Sequence, residues 1–142
     1  DAERKGAPGW IMNFMSSTSQ ITVPNITILC RKGYGRAYVA MGGGRNNEEM
    51  IAWPTAEISF MDPVYATKIV HNLSPGEEGF EEAFAHIQKS NEIWEMAKIY
   101  AVASVVKPQE TREYVSRMLN IYQSRKTKGI GEHLMRGWPT SY

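Results

Sequence analysis

A glycine-rich stretch at residues 31–44 constrains the fold of this chain more than any other feature. It reads Arg-Lys-Gly-Tyr-Gly-Arg-Ala-Tyr-Val-Ala-Met-Gly-Gly-Gly. It follows residues 26–30, an apolar and β-branched segment with the length of a buried strand. Gly33 and Gly35 permit a tight turn, residues 36–41 can form a short helix, and the three glycines that follow end it. The stretch therefore predicts a strand, a glycine turn and a helix N-terminus.

The predicted corner offers chemistry through its backbone. The N–H groups of a helix's first turn, here those of Arg36 and Ala37, point out of the positive end of the helix dipole. Two such donors aimed at a developing negative oxygen form an oxyanion hole, in which losing one donor costs about 2.7–4 kcal/mol. The same turn also serves as a plain connection. A phosphate-binding loop is disfavoured, because neither Gly-Lys-Ser/Thr nor the Gly-x-Gly-x-x-Gly spacing is present.

The composition is that of one globular domain. With 142 residues, 42% of them apolar and 22% charged, the chain has the length for a single core and the balance of a soluble protein. A net charge of +1 gives no electrostatic reason to expect nucleic acid or an anionic membrane as a partner. No apolar run approaches the ~20 residues of a membrane span, and the polar first residues are not those of a signal peptide. We therefore expect a cytoplasmic protein.

Cysteine and histidine give little support for a metal site or a nucleophile. Cys30 is the single cysteine, which excludes an internal disulfide and a zinc cluster. Its place in a predicted buried strand favours an inert core thiol. His71, His86 and His133 lie far apart without metal-ligand spacing. We expect His71 near a helix end and His86 as a solvated or satisfied helix residue. No metal site is predicted.

The rest of the chain predicts an α/β unit built of ββα pieces with about three strands. Asp62-Pro63 is a helix start, and the capping box at 74–77 predicts a long helix to about Tyr100. Extended segments are expected at residues 50–53, 57–61 and 102–106. Helices are also expected from Pro8, with Trp10, Ile11, Phe14 and Met15 on one face, and from Pro108, with Val115, Met118, Leu119 and Tyr122 on the packed face. The tail 126–142 is expected to wrap around the domain.

Three carboxylates need an interpretation. Glu48 and Glu49 are expected to face water. Glu57 lies between Pro-Thr-Ala and an apolar segment, where two interpretations stay open: a buried carboxylate bonded to nearby backbone, or the polar wall of a site.

Several motifs together resemble a known family. Residues 31–41, the Ala-Trp-Pro-Thr-Ala-Glu-Ile run at 52–58, Met61, Val-Pro at 23–24 and Pro-Gln-Glu-Thr-Arg at 108–112 resemble the carboxyltransferase (β) subunits of biotin-dependent acyl-CoA carboxylases, such as propionyl-CoA and methylcrotonyl-CoA carboxylase. The similarity spans roughly residues 6–125. It implies a crotonase-type fold of repeated ββα units, and it implies that the chain belongs to an enzyme.

The resemblance also implies a place in a larger enzyme. In that family the first domain mainly holds CoA and the second mainly holds biotin, and the active site forms between the first domain of one subunit and the second of another. Residues 1–142 are expected to be the C-terminal portion of the biotin-side domain, without the CoA-side domain and inactive alone. The implied cofactor is carboxybiotin on a partner, with acyl-CoA as substrate. The implied partners are biotin carboxyl carrier and biotin carboxylase components, in a homo-oligomer.

Carried over by position, the family's oxyanion hole for the biotin carbonyl falls on the backbone N–H groups of Arg36 and Ala37. Gly35, Tyr38 and Val39 would line it as substrate-binding residues, Val39 at a position linked to acyl-chain choice. One departure is Arg36, which replaces the middle glycine of the family's Gly-Gly-Ala turn.

Other functions stay open at this point. A biotin-linked decarboxylase would share the fold, and a biotin-independent crotonase relative would need a carboxylate acid/base, for which Glu57 is the candidate. A non-catalytic assembly module, with apolar faces that serve only subunit packing, is a further alternative.

Overall fold

The computed structural model describes residues 4–21, 23–44 and 47–123, and it is built around two consecutive ββα units. In chain order the helices are α1 (Ala7–Ser19), α2 (Gly35–Ala40), α3 (Pro63–His71), α4 (Phe80–Ser90), α5 (Ile93–Lys98) and α6 (Thr111–Tyr122). The strands are β1 (Ile26–Leu29), β2 (Lys32–Tyr34), β3 (Glu49–Ala52), β4 (Glu57–Ser59) and β5 (Ser104–Val105). A 3-10 turn at Pro108–Glu110 leads into α6. The first unit is β1-β2-α2 and the second is β3-β4-α3.

The repeat of the two units is visible in the strand pairing. β1, β3 and β5 form one parallel sheet in that order, and β2 pairs in parallel with β4 in a second sheet. Ile26 lies opposite Glu49 in the first sheet, and Lys32 lies opposite Glu57 in the second. Each strand of the second unit therefore lies beside its counterpart in the first. This arrangement confirms the predicted ββα pieces, although the described residues contain five strands where the sequence predicts about three.

The core lies against β3, the central strand of the larger sheet. All four β3 residues are buried, as expected for a parallel strand that is covered on both faces. The core cluster brings this strand together with residues from both units and from α5, namely Leu29, Met50, Ala52, Ala56, Ile58, Ile93 and Val102.

The predicted start of α3 is confirmed, and it has a side-chain N-cap. Asp62 accepts a hydrogen bond from the Val64 N–H at 3.0 Å, and Pro63 opens α3. His71 lies in the last turn of that helix, as predicted. Proline also lies in the first positions of α1 and of the turn that precedes α6.

The capping box is where the prediction is wrong. The Ser74 N–H donates to Glu77 Oε2 at 2.8 Å and the Glu77 N–H donates to Ser74 O at 3.0 Å. These reciprocal bonds close a turn, and α4 begins only after Gly79, which has a φ of 84°. The motif makes its expected hydrogen bond outside a helix.

The single long helix predicted up to Tyr100 is also wrong, because it is divided into α4 and α5. Asn91 O accepts a bond from the Ile58 N–H at 2.9 Å, and the Ile93 N–H donates to Ala56 O at 3.1 Å. The backbone between the two helices is thus bonded to the segment around β4. These contacts replace helical hydrogen bonds, so the helix ends at Ser90.

Two expectations about burial, those for Cys30 and Glu49, are wrong as well. Cys30 follows the end of β1 and is exposed, so it is not a core thiol. Glu49 is buried. On α1 the apolar face is only partly covered, since Trp10 and Phe14 are exposed. The predictions for the tail 126–142 and for His133 lie outside the described residues.

Candidate functional site

The N-termini of the helices in the two ββα units differ. In the second unit Asp62 caps the first turn of α3, and Pro63 has no N–H to offer. In the first unit the N-cap of α2 is Tyr34, which makes no side-chain capping hydrogen bond. The first turn of α2, where the predicted donors Arg36 and Ala37 lie, is therefore not closed by a side-chain cap or a proline. This first turn is the more suitable of the two for an external oxygen.

Gly35 makes the entry into α2 possible. Its φ of 56° lies in the left-handed region, which side chains other than glycine rarely adopt. A Cβ atom at this position would also lie 3.1 Å from the Phe60 carbonyl oxygen, at the end of β4. The backbone at the start of α2 thus approaches the end of β4 closely, and only glycine suits both conditions.

An apolar cavity of about 490 Å³ opens beside this corner. It lies between α1, the first turns of α2 and the end of β4, and its lining consists of Pro8, Ile11, Met12, Met15, Gly35, Arg36, Tyr38, Val39, Ile58, Ser59 and Phe60. Phe60 at its edge is 83% exposed, so the cavity is open to solvent. Its volume lies within the range of small-molecule sites, roughly 300–1,000 Å³.

The structure brings four of the five predicted site residues to this cavity: Gly35, Arg36, Tyr38 and Val39. Ala37 instead borders a second cavity of about 330 Å³, beside β1 and β2. Successive residues of a helix point about 100° apart, which places the Arg36 and Ala37 side chains on different faces of α2. Tyr38 borders both cavities.

Glu57 does not border the cavity of Gly35 and Val39. It lies at the wall of a separate cavity of about 420 Å³ formed with α4 and α5. Its side chain is hydrogen-bonded to Tyr34; burial, and then this bond, raise the pKa of the Tyr34 hydroxyl above its ordinary value. The carboxylate is half-buried and interacts with a phenol. It is therefore a polar wall, but not one that faces the predicted oxyanion hole.

The sequence did not reveal the buried carboxylate Glu49. Tyr114 donates to its Oε1 at 2.6 Å and Tyr122 donates to its Oε2 at 2.7 Å, and the Tyr114 hydroxyl also lies 3.1 Å from Ser104 Oγ. The two tyrosines lie on the same side of α6 and fasten it to β3. The spacing of eight residues between them is a signal for one helix face, but nothing local indicated which group they would meet.

Neither a metal cluster nor a membrane span is found among the described residues. In residues 4–21, 23–44 and 47–123, no group of three His, Cys, Asp or Glu side chains is placed to hold a metal ion. His86 is exposed, as predicted. Over the same ranges, none of the helices has both the length and the apolar character needed to cross a bilayer.

Comparison with known families decides the broader class. Residues 2–134 match the family described as the carboxyl transferase domain. The chain belongs to this family. It is 30% identical over 118 residues to the α subunit of methylmalonyl-CoA decarboxylase from Propionigenium modestum, covering 78% of this chain and 23% of that protein. It is 34% identical over 107 residues to the β chain of propionyl-CoA carboxylase from Roseobacter denitrificans, covering 69% of this chain and 20% of that protein.

Solved carboxyltransferase structures share the fold. A transcarboxylase 12S structure, with methylmalonyl-coenzyme A bound, matches 81% of this chain and 23% of that chain, with a TM-score of 0.74 and 27% identity. The β subunit of geranyl-CoA carboxylase from P. aeruginosa matches 98% of this chain and 28% of that chain, with a TM-score of 0.73. At 18% identity the second match shows the fold alone. The chain thus has the predicted crotonase-like α/β fold as a partial domain, and it spans less than a quarter of the length of the two carboxylase and decarboxylase subunits named above.

Proposed function

We propose that this chain is the biotin-side part of a carboxyltransferase, which moves a carboxyl group between carboxybiotin and the α-carbon of an acyl-CoA. Family membership supports the reaction class. The assignment of the site rests on a contrast between the two ββα units. The first turn of α3 is closed by Asp62 and Pro63, whereas the first turn of α2 has no side-chain cap and borders an apolar cavity.

The residues present fit a biotin group. Biotin has an apolar ring system and side chain and one strongly polar ureido unit. A mainly apolar cavity bordered at one end by the start of α2, at Gly35 and Arg36, matches that distribution. When bound, carboxybiotin supplies the carboxyl group that is transferred.

The chain's own residues would bind and orient that group. In this proposal the N–H groups of Arg36 and Ala37 hold the ureido oxygen, where charge develops. Gly35 lets the α2 backbone approach, and Val39 and Tyr38 form part of the apolar wall. The exposed Arg36 side chain replaces a glycine of the family pattern and places a cation at the cavity's edge.

We further propose that residues 1–142 correspond to the C-terminal portion of the biotin-side domain, and that the CoA-side domain lies elsewhere in the complete protein. The chain alone would then be inactive, because it contributes only part of the site. The proposed partners are a biotin carboxyl carrier, a biotin carboxylase component and further copies of the same subunit, in the cytoplasm. The solved transcarboxylase 12S, which forms a hexamer, is consistent with such an assembly.

The test uses the complete carboxyltransferase that contains this segment, assayed with propionyl-CoA and carboxybiotin. Ala37→Pro deletes one proposed donor, and we expect kcat to fall about 10²–10³-fold. The matched control Ala37→Gly keeps the N–H and should retain most of the activity. Full turnover by a folded Ala37→Pro enzyme would contradict the assigned hole.

Reaction direction is the second point to test, because the relatives include a methylmalonyl-CoA decarboxylase subunit and a propionyl-CoA carboxylase chain. The same complete enzyme should be assayed for carboxylation of propionyl-CoA and for decarboxylation of methylmalonyl-CoA. Activity that does not require biotin would favour a biotin-independent crotonase relative. A stable assembly without activity in either direction would favour a packing module.

A further inference from the structure

The ring of Tyr38 occupies a slot that two glycines leave open. A Cβ atom at Gly33 would lie 2.7 Å from Tyr38 Cδ2, and one at Gly43 would lie 2.6 Å from Tyr38 Cε2 and Cζ. Real Cβ atoms essentially never approach a neighbour so closely. Neither glycine has a positive φ. Gly33 therefore makes room for the ring, whereas Gly43 makes room both for the ring and for the Tyr38 carbonyl oxygen, which would lie 2.6 Å from an added Cβ. Neither glycine is needed to permit an unusual backbone conformation.

The same ring connects α2 to both sheets. Gly33 lies in β2, and the Tyr38 hydroxyl lies 3.5 Å from Met50 Sδ in β3, the central strand of the other sheet. The ring packs against the core cluster, and its burial raises the pKa of the hydroxyl. On the backbone side, the Gly43 N–H donates to Tyr38 O at 2.9 Å. Because α2 has only six residues, these contacts add to its packing against α1 and β2 in holding it in place.

Tyr38 also lies where the two cavities beside α2 meet. It is the residue shared by the lining of the 490 Å³ cavity and that of the 330 Å³ cavity. Arg36 and Ala37, whose backbone N–H groups are the proposed donors, border different cavities. A shift of α2 would therefore move both donors and change the shape of both cavities.

We propose that Tyr38 is a positioning residue: its ring, held between Gly33 and Gly43 and against Met50, sets the placement of α2 and with it the backbone of residues 35–37. The sequence predicts a residue that only lines the site. The contacts assign Tyr38 a second role, which is to hold in place the helix α2 that forms part of the cavity wall. The consequence for catalysis rests on the proposed function, whereas the fit of the ring between the glycines does not.

The fit is tested on this chain by a double-mutant cycle in urea. Gly33→Ala should lower the unfolding midpoint strongly when Tyr38 is present, and much less in the Tyr38→Leu background, where the ring is gone. Some loss will remain, because Leu29 Cδ1 lies 3.0 Å from the added Cβ. In the Tyr38→Phe background, which keeps the ring, the full loss should return. If Gly33→Ala alone abolishes folding, a Gly33→Ala/Tyr38→Leu double variant that folds would equally support the proposal. Equal losses in all three backgrounds, or no recovery, would overturn the proposal.

The positioning role is tested by amide spectra and by kinetics. In proton–nitrogen NMR spectra of this chain, Tyr38→Leu should shift the Arg36 and Ala37 amide signals, and Tyr38→Phe should leave them in place. In the complete carboxyltransferase, Tyr38→Leu should lower kcat about 10²-fold, the size expected for a displacement of about 1 Å. The KM for propionyl-CoA should change little.

The outcomes separate this inference from the proposed function. If Ala37→Pro lowers turnover and Tyr38→Leu does not, the positioning role is wrong and the proposed function stands. If neither change lowers turnover, the proposed function fails, and the double-mutant cycle and the amide shifts decide whether Tyr38 places α2. Unmoved amides in Tyr38→Leu would overturn the positioning role whatever the kinetics show.

Discussion

Gly35 is subject to two separate constraints, and a second glycine of this chain allows them to be told apart. Gly44 also has a positive φ, 67°, but a Cβ atom there would have no neighbour within 4 Å. Gly35 has a φ of 56°, and a Cβ atom added there would lie 3.1 Å from the Phe60 carbonyl oxygen. The left-handed conformation costs a residue with a side chain about 1–2 kcal/mol, and this cost applies to both positions.

We therefore predict that Gly35→Ala lowers the free energy of unfolding by more than the matched control Gly44→Ala. The control should lose about 1–2 kcal/mol from conformation alone. Urea denaturation of both variants measures the difference. Equal losses would mean that the close approach of α2 to the end of β4 imposes no steric demand of its own.

The buried Glu49 carboxylate leads to a second prediction about single residues. Tyr122→Phe removes the hydroxyl that donates to Oε2 and leaves a buried acceptor with one fewer partner. Such a loss costs about 1–3 kcal/mol. Tyr100→Phe is the matched control, because Tyr100 is 89% exposed and its change should leave stability unaltered. A Tyr122→Phe chain as stable as the control would show that this bond does not hold α6 on β3.

At the scale of elements, α3 allows the contribution of an N-cap to the free energy of unfolding to be measured. Asp62→Ala removes the bond to the Val64 N–H, and we expect a loss of about 0.5–2 kcal/mol in the free energy of unfolding. Asp62→Asn keeps an acceptor and should retain nearly all of the stability. Thermal unfolding followed by circular dichroism compares the two variants. A loss of the same size in both would indicate that the carboxylate's charge, and not its hydrogen bond, is what matters at this cap.

The elements that could be predicted from the sequence are those whose signal is local. Asp62 bonds to a backbone group two residues away, and the helix α2 ends at Ala40, with only Met41 between it and the glycine run at 42–44. Such features depend on residues that are close together in the chain, so a short stretch of sequence is enough to predict them. The corner at Gly35 belongs to this class, and its glycines are enough to predict that a helix begins there.

The elements that could not be predicted depend on distant partners. The interruption of the long helix at Asn91 follows from backbone bonds to residues 56 and 58, which lie more than thirty positions earlier in the chain. Glu49 looked like part of a polar loop, yet it meets tyrosines 65 and 73 positions away. No local pattern encodes those pairings. The division of Arg36 and Ala37 between two cavities likewise depends on how α2 packs against α1 and β2.

At the scale of the whole molecule, partly buried tyrosines connect the sheets and helices. Tyr34, Tyr38 and Tyr114 each have a pKa raised above the ordinary value of 10.0, in each case mainly because burial disfavours the charged phenolate. Hydrogen bonds to Glu57 and Glu49 add to this for Tyr34 and Tyr114. These residues belong to β2, α2 and α6, so their protonation is coupled to the packing of both sheets and of the last helix.

This coupling predicts how stability depends on pH. In the unfolded chain these hydroxyls lose their protons near pH 10, the ordinary tyrosine value, whereas the folded chain keeps them to higher pH. Above about pH 10 the unfolded state therefore binds fewer protons than the folded state, and the free energy of unfolding falls as pH rises. Below that pH both states are protonated and the stabilising contribution is complete. These tyrosines should therefore cause no change in the urea midpoint of the chain around neutral pH, and they should lower it as pH rises in the alkaline range.

Lysines also titrate in the alkaline range, so the wild-type curve has to be compared with that of a variant. Tyr34→Phe removes the tyrosine that is both partly buried and bonded to Glu57, and it should make the alkaline decline shallower. Tyr65→Phe, at a tyrosine that is 66% exposed, is the matched control and should keep the wild-type slope. If Tyr34→Phe and Tyr65→Phe decline alike, the phenol of Tyr34 is not held neutral by the fold, and its contact with Glu57 does not link β2 to β4.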